Sequence, residues 1–67
     1  MTIPEKIKQA RKEAGLTQKQ VGLACGYEEK SAESFARQWE LGTRPVPLDK
    51  LRTLSQVLNI PLDQLIP

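Results

Sequence analysis

Helix-ending residues recur along this chain at intervals that leave room only for a series of short helices. Three glycines and one asparagine each follow a stretch in which apolar side chains repeat every three or four residues. Both residue types tolerate the left-handed backbone that closes a helix. No segment alternates apolar and polar residues between hairpin signals, so no strand is predicted. The predicted fold class is all-α, with helices ending at Gly15, Gly26, Gly42 and Asn59.

Two capping boxes mark the starts of the first two helices. A threonine followed three residues later by Glu or Gln lets each side chain bond the other residue's backbone amide. Thr2 and Glu5 form the first such pair, which predicts a helix running to about Ala14. Thr17 and Gln20 form the second pair, which predicts a helix of about two turns.

The third helix is predicted from its inner face, which carries Ala36 and Trp39. The residues before it are polar and acidic, and we expect the helix to begin at Ser31 or Ala32. The connection from the second helix then occupies residues 27–32.

Prolines and leucines delimit the C-terminal part of the chain. The segment 44–47 contains two prolines and cannot be helical at its centre. Apolar residues then recur at helical spacing over about 48–58, and Pro61 opens a predicted last helix over about 61–66. Since 67 residues hold only one core, residues 1–67 are predicted to form a single domain of five helices.

The amino-acid composition excludes most of the familiar kinds of active site. The chain has no histidine and one cysteine, which excludes a Cys/His zinc site, a histidine-dependent triad and an intramolecular disulfide. Glu28, Glu29 and Glu33 are close in sequence, but a domain this small seldom encloses a catalytic pocket. We therefore predict no enzyme activity, no cofactor and no metal.

The hydropathy and charge of the chain indicate the compartment in which the protein resides and the partners that it can bind. No apolar run approaches the roughly 20 residues of a membrane helix, and the charged first twelve residues are unlike a signal peptide. The unpaired Cys25 fits a reducing compartment, so we predict a cytoplasmic protein without a membrane partner. A net charge of +2 permits a polyanionic partner without indicating one.

Residues 16–40 combine a short capped helix, a turn with a glycine, and a helix with a small or aromatic inner face. This order is typical of a helix-turn-helix unit. With its flanking motifs, the chain resembles the phage-repressor and Cro-type (Xre-like) helix-turn-helix family over about residues 3–66. The matching motifs are Gly15-Leu16-Thr17-Gln18-x-x-Val21, Gly26, Trp39-Glu40-x-Gly42 and Leu51-x-x-Leu54-x-x-x-Leu58-Asn59-Ile60-Pro61-Leu62-Asp63-x-Leu65.

The resemblance implies a compact, lambda-repressor-like domain of five helices, with the motif at about residues 17–41. Relatives bind operator DNA as two-fold dimers with the third helix in the major groove. By position, Gln18 matches a residue that contacts a phosphate. Arg11 matches an arginine that pairs with a glutamate, here Glu40, and we interpret this pair as structural because a partly buried charge needs its partner.

One departure from the family pattern concerns the spacing inside the motif. About ten residues separate the positions of Gly26 and Glu40 in the common pattern, whereas fourteen separate them here. The chain resembles a branch with an acidic insertion, which here is the segment 28–32. We expect this insertion to lengthen the turn between the two motif helices.

Counting backward from Trp39 puts four polar residues on or near the face toward DNA. Arginine can donate two hydrogen bonds to a guanine edge. Glutamine can bond to adenine, and serine can bond to a base or a phosphate. Glutamate can accept from cytosine but repels phosphates, so we expect Glu33 to cap the helix or pair with Arg37. The predicted base-reading residues are Glu33, Ser34, Arg37 and Gln38.

Residues flanking this face are predicted to hold phosphates, which positions the protein without specifying a sequence. The terminal segment has apolar residues left over for a partner subunit, in the usual place for similar proteins. The predicted phosphate contacts are Gln18, Lys19, Lys30 and Arg44, and the predicted dimer interface is Leu62, Leu65 and Ile66.

Three further residues carry structural expectations. Trp39 is interpreted as a core residue in preference to a stacking platform for bases. Gly22 costs about 1 kcal/mol in mid-helix relative to alanine, so close approach of the third helix should require it. Leu23 lies on the opposite side, where we expect Tyr27 and the inserted segment to cover it.

Two functions follow from these observations. The first is a sequence-specific regulator of transcription that binds double-stranded DNA, as a homodimer on a palindromic operator. The second is a protein-interaction module on the same scaffold, of antitoxin or coactivator type, because fold alone does not determine function. The chain, which ends at Pro67, fits both a stand-alone regulator and the N-terminal domain of a larger one.

Overall fold

Helices account for most of the chain. The computed structural model describes residues 2–66, and no strand occurs within that range. The all-α fold class is therefore confirmed. In order along the chain, the elements are α1 (Ile3–Glu13), α2 (Gln18–Ala24), α3 (Glu29–Leu41), α4 (Leu48–Val57) and a 3₁₀ turn (Leu62–Gln64).

Local capping determines α1 and α2 as the sequence predicts. The Thr2 side chain accepts a bond from the Glu5 amide, and the Glu5 carboxylate accepts one from the Thr2 amide at 3.2 Å. Thr17 and Gln20 form the same reciprocal pair at the start of α2. Each pair satisfies two backbone amides that have no partner within the helix.

The start predicted for α3 is wrong by two or three residues. The amides of Ser31 and Ala32 donate to the Glu28 carbonyl at 3.0 and 2.8 Å, so the inserted segment forms the first turn of α3. The long connection predicted over 27–32 is therefore also wrong. Four residues make about one helical turn, so the insertion lengthens the helix and keeps its buried face in phase.

This added turn packs on α2 through Gly22. A Cβ placed on Gly22 would overlap the Ala32 carbonyl group and lie 2.7 Å from its Cα. Only glycine lets the two backbones approach this closely. The predicted reason for a glycine inside α2, close approach of the third helix, is confirmed.

The core lies between the helices around Trp39, which is almost fully buried, as expected. Cys25 is also buried, and burial raises the pKa of its thiol, which keeps the group protonated. The expectation for Leu23 is wrong, since this side chain stays 43% exposed. Tyr27 stacks on Phe35 instead of covering it.

The fifth helix predicted over 61–66 is replaced by the 3₁₀ turn, so the described residues form four α-helices. The amides of Gln64 and Leu65 donate three residues back, to Pro61 and Leu62, at 3.0 and 2.9 Å. A segment this short gains too few hydrogen bonds to offset the cost of starting an α-helix. Burial of Leu65 in the core stabilises the tighter turn.

Candidate nucleic-acid interface

The outer face of α3 carries polar side chains opposite a buried inner face. Ala32, Ala36 and Trp39 are buried. Successive residues of a helix are rotated by about 100°, which places the polar residues on the far side. The four predicted base-reading residues form what we call the polar ridge, comprising the exposed Glu33, Ser34 and Arg37 and the partly buried Gln38.

Behind the ridge, a buried ion pair connects α1 with the C-terminal end of α3. Arg11 Nε and Nη2 donate to the two carboxylate oxygens of Glu40 at 2.6 and 3.2 Å. Arg11 Nη1 also donates to the Leu16 carbonyl at 3.0 Å. The side chains of Arg11 and Glu40 are only 13% and 3% exposed. This paired, hydrogen-bonded geometry is the kind in which a buried charge is tolerated.

Gln18 belongs to the same network. Its side-chain amide donates to Glu40 Oε1 at 3.2 Å and is partly buried. The residue therefore joins the start of α2 to the end of α3. Arg11, Gln18 and Glu40 together hold three helices in one arrangement.

Lys19 lies beside the added turn of α3. Its Nζ donates to Glu29 Oε1 at 2.9 Å, and both side chains are substantially exposed. This hydrogen bond from Lys19 lowers the pKa of the Glu29 carboxyl group. Lys30 lies 4.0 Å from the Glu28 carboxylate, also in solvent. Both lysines are thus paired loosely and can exchange partners, because exposed ion pairs contribute little free energy.

A column of rings and cations flanks α3 on its other side. The rings of Tyr27 and Phe35 stack with centroids 4.0 Å apart and an interplanar angle of 14°. The Arg44 guanidinium lies 5.1 Å from the centroid of Phe35, and Lys50 Nζ lies 5.1 Å from that of Tyr27. Sequence reasoning did not identify this column, because its members come from four separate segments with no local signal connecting them.

Hydrogen bonds continue from this column onto the polar ridge. Arg44 Nε donates to Gln38 Oε1 at 2.7 Å, and Gln38 Nε2 donates to Ser34 Oγ at 3.0 Å. Glu33 and Arg37 make no such contact within residues 2–66, and the ion pair expected between them is not formed. The polar ridge therefore has two halves. Ser34 and Gln38 are hydrogen-bonded to each other, whereas Glu33 and Arg37 have no such bond within residues 2–66.

The three apolar residues predicted for the dimer interface do not form one exposed surface. Leu65 is buried in the core and cannot contact a partner subunit, so its assignment to a dimer interface is wrong. The 3₁₀ turn directs it inward, and Leu62 is partly buried against the same core. Ile66 is exposed. Sequence reasoning missed two other exposed apolar residues, Leu41 and Leu48.

Two features are absent from residues 2–66. None of the helices in that range has the length and apolar character needed to cross a membrane. Within the same range, no three side chains of His, Cys, Asp or Glu are grouped in a way that could hold a metal ion.

Comparison with protein families gives a match to a helix-turn-helix family over residues 7–65. Comparison with curated proteins and with solved structures gave no match. The matched range contains the Arg11–Glu40 pair, the Gly22–Ala32 contact and the whole of α3. The chain therefore belongs to the helix-turn-helix family of phage-repressor and Cro type, a family of DNA-binding regulators.

Proposed function

We propose that the protein is a cytoplasmic regulator of transcription that recognises a specific sequence of double-stranded DNA through α3 in the major groove. The observation that carries this proposal is the exposed polar ridge, supported from behind by the buried face of α3. An α-helix fits the major groove, where each base pair presents a distinct pattern of donors and acceptors.

Arg37 is the main base-reading residue of this proposal. It is exposed on the ridge and makes no side-chain hydrogen bond or ion pair to another residue within 2–66. Its five N–H donors are therefore free to meet the O6 and N7 acceptors of guanine. Ser34 and Glu33 are the neighbouring candidates, for a base or phosphate and for a cytosine amino group respectively.

Phosphate contacts are proposed on both sides of the ridge. Lys19 and Lys30 are exposed cations held only by loose ion pairs, which a phosphate can replace. Gln18 has one remaining amide hydrogen beside its bond to Glu40. Arg44 is exposed at the opposite edge, beyond the C-terminal end of α3.

We propose a two-fold dimer on a palindromic operator. The two recognition helices of such a dimer lie about 34 Å apart, one turn of B-DNA. The domain measures 29 × 23 × 19 Å over its Cα atoms, so two copies in contact can reach that separation. The exposed Ile66, with the edge of Leu62, is the part of the predicted interface that stays accessible.

The test is affinity for duplex DNA over a salt series, after selection of bound sequences from a random pool. We expect log K to fall linearly with log salt and the pool to converge on a palindrome. Arg37→Ala should then cost about 1 to 3 kcal/mol at one base pair and relax the choice there. Arg52→Ala, an exposed arginine of α4, is the matched control and should change nothing.

Two outcomes contradict parts of this proposal. Absence of binding to any duplex at low salt would overturn it and favour the protein-interaction module. Equal losses on all sequences for Arg37→Ala would assign that residue to phosphate binding. Sedimentation of the free and DNA-bound protein tests the dimer separately.

A further inference from the structure

We infer that Gln38 and Phe35 are positioning residues for Arg44, and that Arg44, not Gln38, makes the DNA contact at this edge. In this arrangement the two terminal nitrogens of Arg44 grip a backbone phosphate. The inference rests on the proposed function. It removes Gln38 from the set of base-reading residues and gives Phe35 a role in binding.

The amide of Gln38 is already used at both of its ends. Its oxygen accepts from Arg44 Nε at 2.7 Å, and its nitrogen donates to Ser34 Oγ at 3.0 Å. Recognition of adenine needs the same oxygen and nitrogen together, on N6 and N7. Each of these atoms keeps one further bonding capacity, but the two existing bonds fix the plane of the amide, so Gln38 meets a base only in the orientation that Arg44 and Ser34 impose.

The ring of Phe35 lies beneath the guanidinium group of Arg44. The Arg44 Cζ atom lies 5.1 Å from the ring centroid, within the range of a cation–π interaction. Tyr27 stacks on the same ring at 4.0 Å and occupies one face, which leaves the other face for Arg44. With its guanidinium over Phe35 and its Nε bonded to Gln38, Arg44 makes no other side-chain hydrogen bond or ion pair within residues 2–66, which leaves its two terminal nitrogens for a ligand.

The backbone around Arg44 is also held. Gly42 adopts φ +75° at the end of α3, and the amide of Thr43 donates to the Gln38 carbonyl at 3.1 Å. This is a Schellman-type helix end, and Pro45 then restricts the chain on the other side. A side chain restrained in this way loses little further freedom on binding, which favours affinity.

The position of Arg44 suits contact with one of the two DNA strands that border the groove. Gln38 and Phe35 lie on the opposite side of α3 from Glu29, which bonds Lys19. Lys19 and Arg44 therefore flank the helix, one cation on each edge. Two parallel bonds to a phosphate are a geometry that arginine makes and lysine does not.

The test is a double-mutant cycle on the sequence selected by the wild-type protein. Arg44→Ala should weaken binding about tenfold and lower the salt slope by about one. Gln38→Met, which keeps the length and loses the bonds, should weaken binding about threefold and leave the selected sequence unchanged. In the Arg44→Ala background, Gln38→Met should have no further effect.

Two variants examine the geometry. Arg44→Lys keeps the charge but has neither Nε nor a flat face, and it should recover only a small part of the tenfold loss. Phe35→Leu keeps an apolar side chain and should weaken binding only when Arg44 is present. The Arg44 Nε–H signal in NMR spectra of the free protein should be protected, and Gln38→Met should remove that protection.

The outcomes separate this inference from the proposed function. If the wild-type protein binds no duplex, the proposed function fails, and the inference fails with it. If it binds, additive losses for Arg44→Ala and Gln38→Met overturn the inference alone. A changed base preference for Gln38→Met does the same, since it would make Gln38 a base-reading residue.

Discussion

The two ends of α3 are attached to the rest of the domain by different means. At the N-terminal end, the backbone of Ala32 lies directly against Gly22, and the two ion pairs nearby, Lys19–Glu29 and Lys30–Glu28, are exposed. At the C-terminal end, a buried pair, Arg11–Glu40, connects α3 with α1. Burial thus decides what an ion pair does, since loss of one partner of the buried pair leaves a buried, uncompensated charge, whereas the exposed pairs can exchange partners with solvent or a ligand.

The largest expected effect is at the buried pair. Arg11→Ala would leave the Glu40 carboxylate buried without its charged partner, which costs about 3 to 5 kcal/mol of folding free energy. Denaturant unfolding followed by the fluorescence of the single tryptophan measures this loss. Arg11→Lys keeps the charge without the two-bonded geometry and should lie between wild type and Arg11→Ala. A loss below 1 kcal/mol for Arg11→Ala would show that the pair does not stabilise α3.

The next effect is at the backbone contact. Gly22→Ala forces α2 and the first turn of α3 apart, because the added methyl group meets backbone and not a flexible side chain. We expect a loss of about 2 kcal/mol in the same unfolding experiment. Leu23→Ala, at the exposed neighbouring position, is the control and should cost less than 1 kcal/mol. Equal costs at the two positions would mean that the contact is relaxed in solution.

A smaller effect is expected at the exposed pair. Glu29→Gln removes the carboxylate that holds Lys19, which leaves the lysine free for a phosphate. Affinity for duplex DNA at low salt should rise about two- to threefold, with the selected sequence and the folding stability nearly unchanged. Glu13→Gln, an exposed carboxylate of α1, is the control. A fall in affinity would show that Glu29 itself supports binding.

The smallest expected effect is a dependence of folding stability on acidic pH. The pKa of Glu29 is lowered by Lys19, and that of Glu5 is lowered by its bonds to Thr2. A carboxyl group with a lowered pKa in the folded state contributes stability above its unfolded pKa, and this is lost as pH falls through the folded value. Stability should therefore decline slightly below the ordinary glutamate pKa. The double variant Glu5→Gln and Glu29→Gln should flatten that decline, and an unchanged profile would contradict the assignment.

The sequence predicted best what local chemistry decides. The starts of α1 and α2 follow from capping boxes, in which residues three apart bond each other. The start of α3 has no such signal, since Glu28 makes no side-chain capping bond. Contact with Gly22 extends that helix, and a contact between different elements leaves no local pattern in the sequence.

The same reason explains the misplaced site residues. Leu65 carries the same apolar signal whether it faces a core or a partner, and only the packing of the 3₁₀ turn separates the two. Phe35 and Arg44 meet across the end of α3, and Tyr27 joins them from the preceding turn. Their meeting depends on how the linker folds back, which no spacing along the chain encodes.

The backbone contact between Gly22 and Ala32 has a consequence for how such a protein can diverge. Because the seating of one helix on the other depends on main-chain atoms and a missing side chain, the outward residues of α3 take no part in it. They can be exchanged for others, in nature or by grafting, without disturbing the scaffold beneath. New target preferences are then accessible at little cost to the architecture.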